Sequence, residues 1–278
     1  MVNEYILRAK KFRTKKRLGQ NFLVSKDVIN EILSNVDEND TILEIGPGIG
    51  FVTEKLVQKA KRVVAVELDE DAVEYLDKKF IGIKNFVLLH DDILKTDIPK
   101  FFEEEKIKVI ANIPYYITTP ILVHLLGEID DINHKTRNKI SEIILMVQYE
   151  VAKRITATCE SKNKEYGLLS ILSNFWADTE IIKFVSKKCF YPSPKVDSAL
   201  VKFKINDAPR VEINNNLRQT IKASFATRRK NIKNCLKNGG FVNVEDALSK
   251  CGISPELRAE NLSMEDFYKL SLELSRWK

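Results

Sequence analysis

From about residue 25 the chain alternates short β-branched runs with amphipathic stretches, and the first such run leads straight into Glu44-Ile45-Gly46-Pro47-Gly48-Ile49-Gly50. No other feature narrows the fold as much. Strands that alternate with helices require βαβ crossovers, and hence a parallel sheet covered on both faces. Hydrophobic period predicts strands over 41–45, 62–67, 85–89, 107–112 and 142–148, with helices near 26–36, 51–60, 70–80 and 118–127. Ser25 is placed to cap the first helix. The runs at 180–186 and 198–204 lie too close for a helical crossover, so they predict an antiparallel pair at the sheet edge, joined by the stiff Tyr191-Pro192-Ser193-Pro194. Past Asp207-Ala208-Pro209 the pattern becomes purely helical. Helices are expected over 214–237, ending at Gly239-Gly240, over 244–250, from Ser254-Pro255, and from a capping box at Ser263–Asp266. The expected organisation is a basic segment 1–24, an α/β domain 25–206 and a helical domain 207–278.

Charge refines this picture. Residues 1–24 carry seven Lys/Arg against one acid and residues 206–278 carry thirteen against nine, whereas the middle is net acidic. Clustered positive charge is the footprint of a polyanion binder, because each phosphate contact releases counterions; a solubilising tail is the alternative at the N-terminus. No apolar run reaches the roughly 18 residues that span a bilayer, and the first residues lack a secretory signal pattern. Four cysteines without a CxxC, and histidines scattered at 90, 124 and 134, predict no metal site and a reducing, cytoplasmic setting.

The glycine turn has GxGxG spacing, with the bulky Phe51 where a dinucleotide-binding GxGxxG would place its third glycine. No pyrophosphate need be cradled, which points to a nucleoside ligand without one. Gly46 and Gly48 let the backbone approach that ligand. Glu67, followed by Leu68, ends the second strand, where a carboxylate can accept ribose hydroxyls. Asp92, followed by Ile93, sits past the third strand, within reach of an adenine amino group. Asp69, Glu70 and Asp71 read as helix N-terminal charges.

At the end of the fourth strand stands Asn112-Ile113-Pro114-Tyr115. Adenine N6 is a poor nucleophile because its lone pair is delocalised into the ring. The Asn112 amide oxygen and the Ile113 carbonyl can each accept an N6 hydrogen bond, which aims the lone pair at a sulfonium methyl by positioning and electrostatics. Pro114 fixes the backbone there, and Tyr115 offers a face for an extruded base. No general base is needed. Tyr116 and Tyr149 read as packing residues.

These segments, together with Lys15-Lys16-Arg17-Leu18-Gly19-Gln20-Asn21-Phe22-Leu23 and the run 190–201 (FYPSPKVDSALV), resemble the family of small-subunit ribosomal RNA adenine dimethyltransferases. The resemblance implies a Rossmann-like methyltransferase domain with a small all-α C-terminal domain, S-adenosylmethionine as cofactor, and dimethylation of two adjacent adenines near the RNA 3′ end. It implies cofactor contacts from Asn21, Leu23, Gly46, Gly48, Glu67, Leu68, Asp92, Ile93 and Asn112, and Phe190 sandwiching the target adenine against Tyr115. The stretch Ser224–Lys230 is similar to the family's C-terminal signature, so Arg228, Arg229 and Lys230 on a helix are expected to meet phosphates, as are Lys15, Lys16 and Arg17. The expected partner is a pre-30S particle, engaged by a monomer. Rival expectations are a large-subunit adenine methyltransferase of the antibiotic-resistance type, a DNA adenine methyltransferase, and an assembly factor that has lost turnover.

Overall fold

A computed structural model describes residues 4–12, 14–15, 19–102, 106–161, 165–227 and 229–275. The chain divides into two compact units, one formed by 1–125, 135–152 and 180–205, the other by 126–134, 153–179 and 206–278.

The first unit is built on strands β2 (Thr41–Ile45), β3 (Arg62–Glu67), β4 (Phe86–His90), β5 (Ile107–Asn112), β6 (Ile140–Gln148), β7 (Ala177–Val185) and β9 (Ser198–Ile205), in the spatial order β4-β3-β2-β5-β6-β9-β7. All five residues of β2 are buried, and β3, β5 and β6 are nearly so. That burial is why their sequences are continuous apolar runs rather than alternating ones. Strands β4 through β6 pair in parallel, while β9 pairs antiparallel with β6 from Gln148↔Ser198 to Glu142↔Lys204. The mostly parallel seven-stranded sheet with an antiparallel edge is therefore as the sequence predicts. The chain steps outward from β2 to β3 to β4 and then returns to β5 on the other side of β2. A crevice opens at such a reversal outside the carboxyl ends of the strands, between the ends of β2 and β5 at Ile45 and Asn112.

Helices α2 (Lys26–Ser34), α3 (Thr53–Lys59), α4 (Glu70–Lys79) and α5 (Thr118–Leu126) follow the expected pattern. The Ser25 and Asp69 side chains cap α2 and α4. Gly50 decides the fit of the glycine loop. It sits at φ +76°, and a Cβ there would lie 2.8 Å from Leu76 Cδ2 and 3.0 Å from the Phe80 ring.

The basic N-terminal segment is not a separate tail. It holds helix α1 (Glu4–Lys11), in which Tyr5 and Ala9 are buried, and strand β1 (Phe22–Leu23), which pairs antiparallel with β8 (Phe190–Tyr191). Tyr5 packs on Phe51 at 4.7 Å between ring centroids, and the Arg8 guanidinium lies over the same ring at 4.8 Å. Arg8 and Lys79 both pair with Glu54. Phe51 is thus a core residue that anchors α1 beside the glycine loop.

The second unit carries α7 (Leu168–Trp176), α8 (Leu217–Phe225), α9 (Ile232–Asn238), α10 (Val244–Lys250) and α11 (Met264–Glu273), and α6 (Tyr149–Ile155) runs into it at its end. A single cut at 206 misses the stretches 126–134 and 153–179. They belong here because Trp176 packs on Phe175 and donates to the Glu128 carbonyl at 3.3 Å, while the Glu128 carboxylate pairs with Arg218 at 2.9 Å. The helix expected over 214–237 is broken, since Asn231 caps a new helix by accepting from Asn234 N–H at 3.0 Å. No α-helix starts at Ser254-Pro255; a 3-10 turn occupies Ala259–Asn261. The capping box at Ser263 and Asp266 forms.

Gly50→Ala should destabilise the protein by about 2 kcal/mol or more, since it combines a left-handed backbone with overlap onto Leu76 and Phe80. Urea unfolding monitored by circular dichroism measures this, and an unchanged midpoint would mean the loop can shift away from α4.

Candidate cofactor and base site

At the carboxyl ends of β2, β3 and β5 lies a cavity of about 1250 Å³, counting the solvent at its mouth. The glycine loop, Glu44, Glu67, Leu68, Asp92, Ile93, segment 19–23 and Asn112-Ile113-Pro114-Tyr115 all line it. Asn21, Leu23, Gly46, Gly48, Glu67, Leu68, Asp92, Ile93 and Asn112 are therefore brought together, along with Ile113, Pro114 and Tyr115.

Glu67 is fixed by backbone donors. Its Oε2 accepts from Gly48 N–H, and its Oε1 from the N–H groups of Leu68 and Asp69, each at 2.9 Å. Burial raises its pKa while these donors lower it. A carboxylate offers about four lone-pair directions, so one on Oε2 remains for an incoming hydroxyl. Gly48, at φ +58°, gives its N–H to Glu67, and a Cβ there would lie 2.9 Å from the Phe22 ring. Asp92 is half-buried on the rim, its Oδ1 accepting from Leu94 N–H at 3.1 Å.

Glu44 escapes a sequence reading because it sits inside an apolar strand. It is 4% exposed, and its Oε2 has no hydrogen-bond partner among the described residues. Burial pushes its carboxyl up to about 7, with the Glu67 carboxylate adding to the rise and Thr53 and Lys79 opposing it. An unsatisfied buried acceptor costs roughly 1–3 kcal/mol, more if charged, so this wall suits a ligand that brings a cationic donor. Four acids around one apolar cavity, Glu44, Glu67, Asp91 and Asp92, fit a nucleoside carrying positive charge and repel a pyrophosphate. S-adenosylmethionine, with its sulfonium and ammonium groups, has that chemistry. Among the described residues no cluster of metal-ligating side chains occurs.

Asn112 ends β5 with its amide Nδ2 3.5 Å from the Asn21 carbonyl. That contact turns Oδ1 away as the free acceptor. Pro114 holds φ −57° and ψ 135°, after which Tyr115 starts a 3-10 turn. The Tyr115 hydroxyl is 2.7 Å from Ser198 Oγ, and burial raises its pKa, so the ring is neutral and fixed in place. Tyr116 is 65% exposed at the cavity mouth rather than packed.

Two expectations change. Phe190 does not line the cavity. It is 4% exposed, opposite Leu23 in the β1–β8 ribbon, within the buried cluster that includes Met146 and Leu200. Pairing with β1 draws the ring into the core, one strand behind the cavity wall. Lys15 is not presented for phosphate either. It pairs with Asp69 and, at 2.6 Å, with Asp71, while Gln20 Nε2 donates to Asp69 at 2.6 Å and Gln20 Oε1 accepts from Lys15 N–H at 2.8 Å. This clasp ties the cavity-lining segment to the start of α4. Lys16, Arg17 and Arg228 lie outside the described residues. Arg229 and Lys230 are exposed in the turn before α9 rather than on a helix.

Residues 11–276 match the ribosomal RNA adenine dimethylase family. The chain belongs to that family. It is 41% identical to the ribosomal RNA small subunit methyltransferase A of Clostridium botulinum, over 98% of this chain and 96% of that one. The protein of the same name from Clostridium acetobutylicum is 38% identical, over 95% of each. A dimethyladenosine transferase from Plasmodium falciparum superposes with a TM-score of 0.73 and 25% identity, covering 90% of this chain and 95% of its own. The 23S rRNA methyltransferase ErmE, with a TM-score of 0.69 and 24% identity over 91% and 99%, shares the fold.

Glu44→Gln should weaken cofactor binding yet stabilise the apo protein at high pH. With its folded pKa raised from 4.5 to about 7, Glu44 costs nothing where both states are protonated, and the penalty builds as pH rises from the unfolded value toward about 7 and stays above it, reaching up to about 3 kcal/mol. Thermal melts from pH 5 to 9 check this; parallel curves for wild type and variant would exclude a buried titrating Glu44. Lys15→Ala should weaken cofactor binding severalfold and leave the salt dependence of RNA binding unchanged, measured by calorimetry and by titration of RNA. A flattened salt slope with intact cofactor affinity would return Lys15 to phosphate contact.

Proposed function

We propose that the chain uses S-adenosylmethionine to dimethylate the N6 of adenines, two of them adjacent, near the 3′ end of small-subunit ribosomal RNA. The observation that carries this reading is the free Oδ1 of Asn112, set beside Pro114 and the immobilised Tyr115 on the wall of an acid-lined nucleoside cavity. When bound, the cofactor supplies an electrophilic methyl on a sulfonium. Glu67 and Asp92 would hold its ribose and adenine, and Glu44 its ammonium group.

The chain's own contribution is positioning and polarity. Asn112 Oδ1 and the Ile113 carbonyl accept the two N6 hydrogens, which draws the amine out of ring conjugation without a titrating base. Tyr115, held by Ser198, supports the extruded base on its ring. Phe190 completes a base sandwich only after leaving its buried place behind Leu23, and segment 19–23 with β8 is the element that would have to move. The exposed Arg229 and Lys230 of the second unit serve the ribosomal contact, and the substrate is an immature small subunit that presents a splayed loop. On this reading the enzyme acts as a monomer, in the cytoplasm where the subunit assembles. A large-subunit target has only the shared fold of ErmE behind it, and loss of turnover conflicts with a cavity that gathers Glu67, Asp92 and Asn112–Tyr115.

Methyl transfer from labelled cofactor to separated subunits of an unmethylated strain, digested to nucleosides, tests this. Label is expected in N6,N6-dimethyladenosine of the small subunit, and Asn112→Ala should lower transfer by about 10²–10³-fold. Label in the large subunit, or undiminished transfer by Asn112→Ala, would overturn the assignment.

A further inference from the structure

Past the carboxyl end of β6 the first unit exposes an aromatic pair that the methylation mechanism does not use. Tyr149, the first residue of α6, and Phe184, near the end of β7, meet edge to face, with centroids 5.2 Å apart and an interplanar angle of 87°. They are 36% and 52% exposed. Single exposed apolar residues are ordinary on a protein surface, but the segment that follows Phe184, between β7 and β9, carries Lys187, Lys188 and Lys195. All three lysines are exposed, and none has an ion-pair partner among the described residues. The acids nearest in sequence are Glu150, Glu180 and Asp197, and no ion pair joins any of them to these lysines among the described residues.

The same loop is wired to the base pocket. Tyr149 N–H donates to the Asp197 carbonyl at 3.0 Å, and Lys187 N–H donates to Asp197 Oδ1 at 2.9 Å. Ser193 Oγ donates to the Lys187 carbonyl at 2.9 Å, and the next residue after Asp197, Ser198, holds the Tyr115 hydroxyl. Rings, cations and the proposed base-stacking tyrosine are therefore mounted on one hydrogen-bonded frame, on the edge of the sheet where Asn112 ends its strand.

We propose that Tyr149 and Phe184 form a stacking platform for an unpaired nucleotide flanking the target adenine, with Lys187, Lys188 and Lys195 neutralising the phosphates on either side. The proposal rests on the RNA reading of the site. Turning one base out of a strand deprives its neighbours of a stacking partner, and an aromatic surface beside the pocket replaces that partner for any base. Uncommitted lysines around the rings add the sequence-independent attraction for the backbone.

The test uses the full chain and a single-stranded oligoribonucleotide from the 3′ region of unmethylated small-subunit RNA. Affinity is measured by fluorescence anisotropy across a salt series, and methyl transfer to the same RNA in parallel. Tyr149→Ser with Phe184→Ser should weaken RNA binding about tenfold, keeping the salt slope and the cofactor affinity. Tyr149→Phe with Phe184→Tyr, which preserves both rings, should bind like wild type. Lys187→Gln with Lys188→Gln should lower the salt slope by about 1–2. Wild-type affinity in the serine variant together with an unchanged slope in the glutamine variant would overturn the platform. A wild-type protein that binds this RNA and the cofactor but transfers no methyl would overturn the proposed function instead, while the affinity ratios would still decide the platform.

Discussion

Glu67 is the residue on which the rest of the site depends. Its two carboxylate oxygens take backbone N–H groups from Gly48, Leu68 and Asp69, which pins the loop after β2 to the loop after β3. The left-handed backbone at Gly48 follows from that bond, and so does the position of Asp69, which caps α4. Asp69 in turn receives Lys15 and Gln20, which bring segment 19–23 across the cavity to meet Asn112 and Pro114. One buried carboxylate at the end of one strand thus organises three walls of the pocket through short bonds of fixed geometry. Loss of its charge or its length would disturb the N-terminal segment as well as the ligand.

The strands and the parallel character of the sheet were legible because buried parallel strands must be continuous apolar runs, and those runs stand out between polar helix faces, whereas their order in space was not. The pocket was legible for the same reason: residues such as Glu67 and Asn112 are polar interruptions where those runs end. Glu44 was not, because a single acid inside Thr41–Ile45 carries no periodicity of its own, and only its burial beside the cavity reveals it. The break after α8 was also hidden, since Ala226–Lys230 reads as helix until Asn231 is seen to cap the next one. The membership of 126–134 and 153–179 in the second unit depends on tertiary bonds such as Trp176 to Glu128, which no local pattern records.

Charge arithmetic misled in an instructive way. The N-terminal segment is strongly basic by count, yet Arg8 and Lys15, two of its cations, are committed to Glu54, Asp69 and Asp71. Composition counts cations without knowing which have partners. A phosphate competes poorly for a lysine already held by two carboxylates, whereas exposed Lys187, Lys188, Arg229 and Lys230 carry charge that is open to a polyanion. Fewer free cations than the count implies does not weaken the case for RNA. On the proposed reading Lys15 drops out of the contact, while the exposed Lys10 and Lys11 of α1, the rim beyond β6 and the turn before α9 keep cations for it.

The position of Asn112 shows why this chemistry can run without a titrating base. Its amide has one donor end and one acceptor end, and the donor faces the Asn21 carbonyl on the segment that covers the pocket. That segment therefore does two jobs with one bond: it walls the cavity and holds the donor end of the amide, which leaves the acceptor for an adenine amine. A carboxylate at the same position would have no donor to offer Asn21 and would add further negative charge to a cavity already walled by Glu44, Glu67, Asp91 and Asp92. It would bind a cationic cofactor more tightly in the ground state, where the positive charge is greatest, and hold it less tightly as that charge passes toward the amine. A neutral acceptor avoids this cost, since only interactions stronger in the transition state than in the ground state raise the rate. The amide is thus the side chain that satisfies the lid, the amine and the electrostatics of the cavity together.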